Sequence, residues 1–196
     1  MNLLSTHKLA MLITCFSMFY GQLSLAETNV VKEHLHRGPA QEQFFGSLSS
    51  VCGQRFEGEM TYPTEGQDSF AGKLLVAKVN FCTDKEIRIS FDVDEDRSRT
   101  WIVSKTNLGL QLKHDHRQED GTEDEINMYG GLASESGSKF SQAFSADAHT
   151  ANIIPEAKTN VWTITLSEDG KSFTYHLERN NAPRFTAELT HVASTK

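Results

Sequence analysis

The stretch EIRISFDVDEDRSRTWIVSKTNLGLQLKHDHR, residues 86–117, decides the fold. In its first eight residues Ile87, Ile89, Phe91 and Val93 alternate with Arg88, Ser90 and Asp92. Period two is the mark of a strand with one buried face. The pattern resumes in RTWIVSK and again in LGLQLKHDHR, with turn-forming residues between. Upstream, RFEGEMTY places Phe56, Gly58, Met60 and Tyr62 on one face, and KLLVAKVNF gathers Leu75, Ala77, Val79 and Phe81. Downstream come INMYGGLA, KFSQAFSA, VWTITLSE, SFTYHLERN and RFTAELTHV. EDGTED at 119–124 and EDGK at 168–171 carry the Asp-Gly pairs that tight hairpins favour, and RNNAP at 179–183 is a similar bend.

Short alternating segments joined by hairpin-length loops leave little room for parallel crossovers. The expected fold is all-β: a single antiparallel up-and-down β-barrel, lipocalin-like in architecture, whose closure removes the sheet edges. A two-sheet β-sandwich is the alternative. Phe45, Leu48 and Val51 recur at helical spacing, so a short helix is expected between Pro39 and Val51, ahead of the first strand. The long irregular stretch SADAHTANIIPEAKTN, residues 145–160, is expected to cap a barrel mouth.

Residues 1–26 read as a signal peptide. Lys8 precedes the apolar run LAMLITCFSMFY, which is too short to span a bilayer, and SLA at 24–26 predicts cleavage before Glu27. Cys15 raises a lipoprotein reading, opposed by Thr14 and by the early position of the cysteine. Export to the periplasm or beyond is therefore expected, with 27–43 a flexible leader and 44–193 the barrel domain. No second membrane segment follows the signal. The net charge is −7, and loss of Lys8 with the signal makes the remainder more acidic still. An acidic chain without a basic stripe repels phosphate backbones, which excludes nucleic acid as a partner. Of three cysteines, Cys52 and Cys82 remain after the signal, an even pair expected to form one disulfide. Two buried thiols are the other reading. No CxxC or CxxH spacing supports a thiolate metal site.

In LGLQLKHDHR the strand period puts Leu108, Leu110, Leu112, His114 and His116 on one side, with Gly109, Gln111, Lys113, Asp115 and Arg117 on the other. The leucine side faces the core, so the histidines continue the inward row toward a strand end. Imidazoles at i and i+2 can chelate a divalent metal, trade protons near neutral pH, or serve as core-edge residues bonded to a neighbouring strand. A third metal ligand would come from His149 or His176, although His176 falls out of phase with Phe173, Tyr175 and Leu177. The acidic residues of 119–125 read as a solvated hairpin tip. DVDEDRSRTW has Asp92, Asp94 and Asp96 alternating as in a calcium loop, but Arg97 occupies the glycine position and Val103 the bidentate-glutamate position. Arg97 and Arg99 then pair with these carboxylates or grip an anionic ligand. The glycines of MYGGL mark a bulge or a close backbone approach. No G-x-S-x-G elbow and no phosphate-cradling loop occurs.

The run DEDRSRTWIVSKTNLGLQLKHDHRQEDGTED, continuing through MYGG to TNVWTITL and FTYHLER, resembles a group of exported bacterial proteins with no assigned activity. The hallmark strings of that group are DRSRTW and LKHDHRHEDG. The resemblance covers nearly all of the chain after the signal, with Gln118 where the third histidine of the second string would stand. It implies an exported domain and carries no function. The lipocalin-like comparison is one of architecture alone.

Three functions compete on these residues. The first is an exported binding protein with a small, partly apolar ligand in the barrel, lined by His114, His116, Trp101, Tyr129 and Arg99. The second is an enzyme using His114 and His116 as metal ligands or as acid and base. The third is a structural or partner-binding envelope protein with a filled interior.

Overall fold

The computed structural model describes residues 38–62 and 70–193. The expected signal peptide and residues 27–37 of the expected leader lie outside the described residues. The strands are β1 (Arg55–Tyr62), β2 (Leu75–Cys82), β3 (Glu86–Val93), β4 (Asp96–Thr106), β5 (Gly109–His116), β6 (Tyr129–Ala133), β7 (Ser141–Ala146), β8 (Val161–Leu166), β9 (Ser172–Arg179) and β10 (Ala182–Val192). Each pairs antiparallel with its chain neighbour, and β1 pairs with β10, Arg55 opposite Val192, to close a barrel. Closure sets aside the sandwich. The ten strands coincide with the ten alternating segments of the sequence. The inward rows, such as Ile87, Ile89, Phe91 and Val93 on β3, are buried in one contiguous core.

Helix α1 (Pro39–Ser50) plugs one end of the barrel. It begins ahead of the expected domain boundary at 44, so residues 39–43 are helical. Pro39 starts it because the first helical N–H needs no partner and the ring fixes φ. Gln41 is buried in spite of its polarity because its Oε1 accepts from the Leu110 N–H at 2.9 Å. Phe44 and Phe144 meet edge to face at 6.3 Å, and Lys105 lies over the Phe45 ring while pairing with Glu42 at 2.6 Å. A Cys52–Cys82 disulfide, Cα atoms 6.3 Å apart, ties the chain after the helix to the end of β2.

Helix α2 (Ala148–Ile153) and a 3-10 turn (Pro155–Ala157) lie beside the other mouth, within the stretch expected to cap one. Asp147 caps α2 through the Thr150 N–H at 2.9 Å and pairs with Lys113 at 2.5 Å. Thr150 clasps β6: its hydroxyl accepts from the Gly130 N–H and donates to the Gly130 carbonyl, both at 2.7 Å. This close approach explains MYGGL. A Cβ on Gly130, at φ +147°, would stand 2.0 Å from the Leu112 carbonyl oxygen, and one on Gly131 1.7 Å from that of Ser145. The β9–β10 hairpin turns on Asn180 and Asn181 at φ 54° and 58°, a two-residue turn with both residues left-handed.

Three residues expected on the inward face lie outside it. Phe81 is 45% exposed because the β2–β3 register shifts between Val79 and Phe81, which turns the ring to solvent over Arg88. A second shift, between Met60 and Tyr62 against β10, does the same to Tyr62. Leu108 is 63% exposed because it belongs to the β4–β5 turn, and β5 starts one residue later.

Candidate functional site

Strand β5 carries its inward row from the plugged end to the open mouth: Leu110 and Leu112 buried, His114 buried, His116 half-buried. Trp101 enters from β4 beside His114, its register partner. Its ring stacks on Phe91 at 4.4 Å and on Tyr175 at 4.1 Å. Together these rings form an aromatic floor, and both Trp101 and His114 are only 2% exposed.

Hydrogen bonds fix His114 within the floor. His114 Nδ1–H donates to the Tyr129 carbonyl at 3.0 Å, which leaves Nε2 to accept from the Tyr175 hydroxyl at 2.5 Å. Burial lowers the His114 pKa to about 3 against the raising effect of the Tyr129 bond, with smaller lowering contributions from His116 and Lys113. The ring is neutral at physiological pH, and both nitrogens are committed. Burial also raises Tyr129 to about 12 and Tyr175 well above its ordinary value, so both hydroxyls stay protonated. Tyr129 Oη then donates to His116 Nε2 at 3.0 Å. His116 is itself lowered by burial and by the Arg99 guanidinium, against opposing Asp124, Asp96 and Asp115.

Above the floor lies a cavity of about 320 Å³ that opens at the α2 mouth. All five residues singled out from the sequence, Arg99, Trp101, His114, His116 and Tyr129, line it. Their parts differ. Trp101 and His114 are floor, whereas Arg99, His116 and Tyr129 offer polar edges on the wall. Arg99 pairs with Asp96 at 2.5 Å and lies 5.2 Å over the Phe70 ring. Burial acts to raise Asp96, but bonds from Ser98 and Arg99 outweigh it and bring the carboxyl to about 2. Arg97 is on the outside, bridging buried Asp92 at 3.4 Å and Glu95 at 3.8 Å. The capping segment contributes Ile154, Ala157 and Asn160 to the wall.

Among the described residues no third ligand joins His114 and His116. The His114 lone pair is taken by Tyr175. His149 is exposed with Nε2–H on the Asn127 carbonyl at 3.1 Å, and His176 bonds Thr186 at 2.7 Å away from the cavity. Among the described residues no group of three or more His, Cys, Asp or Glu gathers in a way that could hold a metal ion. The acidic residues Glu119, Asp120 and Glu123 are a solvent-exposed tip.

Among the lining residues that the sequence reading missed are two arginines. Arg179 follows Phe173, Tyr175 and Leu177 in phase on β9, so the inward row already pointed to it. Arg184 carries no such signal, because it is the extra residue of a register shift between Pro183 and Phe185 on β10. Comparison with family models, curated proteins and solved structures finds no match to this chain.

Proposed function

We propose that this is an exported binding protein whose barrel mouth holds one small, partly apolar molecule. The cavity over the Trp101–Tyr175 floor carries the reading. A volume of about 320 Å³ sits at the low end of the roughly 300–1,000 Å³ typical of ligand sites. Its chemistry is of the expected kind, broad aromatic area with a few convergent polar groups. The neutral, fully bonded His114 takes no charge and offers no free ring nitrogen for proton transfer, which favours a supporting part in holding a ligand. The Cys52–Cys82 disulfide supports an oxidising compartment, and no described helix is long and apolar enough to cross a membrane.

The test uses the fluorescence of Trp101 and Trp162, both of which line the cavity. Octanol and octanoate are titrated into the purified chain and into Leu177→Trp, which fills the cavity from β9. The expected result is a saturable one-to-one change in the parent chain that the filled variant loses while keeping its cooperative unfolding. Equal responses in both proteins, or no response to either probe in the parent, refutes the reading.

A further inference from the structure

The cavity wall holds more positive charge than an acidic protein needs there. Arg99, Arg179 and Arg184 all line it, on a chain of net charge −7. Arg99 is matched by Asp96. The other two are not matched in the same way. Arg179 Nε donates to the side-chain oxygen of buried Asn160 at 2.8 Å, a neutral acceptor that aims the guanidinium without cancelling its charge. Arg184 makes no hydrogen bond or ion pair with any described residue. The two stand close enough to repel: burial, and then the Arg184 charge, lower the Arg179 pKa, with exposed Glu156 opposing. Two guanidiniums beside each other at a half-buried mouth, neither in an ion pair with a described residue, cost stability unless something anionic joins them.

We infer that the site selects an amphipathic monoanion, its head group bridging Arg179 and Arg184 and its apolar body lying over the Trp101–Tyr175 floor. This inference rests on the reading of the cavity as a binding site. Guanidinium groups suit the task because their planar forks bond carboxylate, sulfate or phosphate oxygens in pairs. The two arginines come from either side of the β9–β10 turn, whose left-handed Asn180 and Asn181 fix their separation. The Pro183–Phe185 register shift brings Arg184 into the lining. Aromatic rings below and cations at the rim place the two ends of such a ligand in one orientation, head outward.

The experiment compares probes that share a chain and differ in head group. Octanoate, octyl sulfate and octanol are titrated by calorimetry or tryptophan fluorescence at low salt. Octanoate and octyl sulfate are expected to bind about tenfold or more tightly than octanol, since charge-assisted bonds exceed neutral ones. Added salt narrows the gap, because the rim is solvent-accessible. In Arg179→Gln, Arg184→Gln and the double variant the ratio falls toward one. Arg184→Gln also melts no lower than the parent without ligand, since it removes a repulsion. Equal affinities in the parent, or an anion preference that survives the double variant, overturns the inference while leaving the binding reading intact. If octanol and both anions all fail to bind, the binding reading itself is wrong and this inference falls with it.

Discussion

His114 makes the stability of the barrel depend on acid in a way that one substitution isolates. The ring is 2% exposed and its pKa is lowered from 6.5 to about 3. In the unfolded chain the same imidazole takes up a proton near pH 6.5. Between the two values the unfolded state binds the extra proton and the native state does not, so native stability falls as pH falls. The slope is about 1.4 kcal/mol per pH unit, and integration from pH 7.5 to 4.5 gives a loss of about 2.5 kcal/mol from this residue. His116, lowered in the same direction, adds to the loss, but it is present in both proteins and cancels from the comparison. His114→Gln removes the titration while keeping a donor and an acceptor near Tyr129 and Tyr175. At pH 7.5 the variant is expected to be less stable by roughly 1–3 kcal/mol because its bonds to those partners are imperfect. At pH 4.5 that deficit shrinks by about 2.5 kcal/mol. Urea unfolding at the two pH values, disulfide intact, measures both gaps. A deficit that stays constant with pH means that His114 is not held neutral by burial, and its supporting part in the floor falls with it.

Other perturbations follow from the same structure. Reducing the Cys52–Cys82 bond, which spans a separation of 30 residues, lowers unfolding free energy by about 3–4 kcal/mol on the chain-entropy model; an unchanged urea midpoint with reductant contradicts the helix-to-β2 tie. Gly130→Ala forces a Cβ to 2.0 Å from a backbone oxygen and is expected to cost more than about 3 kcal/mol or prevent folding, read by thermal melting. Gly46→Ala is its opposite: the position is helical and exposed with nothing within 4 Å, so a gain of about 0.5–1 kcal/mol is expected. Asp147→Ala removes both the α2 cap and the partner of Lys113; a cost of about 1–2 kcal/mol and faster amide exchange at Thr150 are expected, and unaltered exchange there argues against the cap.

Much of the architecture lay open in the sequence because one-sided burial imposes a period of two, and every strand here has one side inward. Ile87 through Val93 could not alternate as they do on a helix. The failures came where the count slips. Phe81, Tyr62 and Arg184 each follow or occupy a register shift, and a single extra residue reverses every side chain beyond it while leaving the composition untouched. Leu108 failed differently, by belonging to a turn that the leucine row seemed to run through. Of the site, the five expected residues do line one cavity, because all lie on inward rows. Their division into floor and wall was not legible. His114 and His116 look equivalent in KHDH, yet one is sealed under Tyr129 and Tyr175 and the other reaches the mouth. Depth along a barrel axis depends on strand stagger, which no local pattern records.

The most direct test of the mouth as a binding site is the histidine ring spectrum of the folded chain during an octanoate titration. A ligand in the mouth moves the His116 resonances saturably and leaves His149 and His176, which lie outside the cavity, unmoved. Movement of the outer histidines with His116 unchanged would place the ligand elsewhere and contradict a binding site at the mouth.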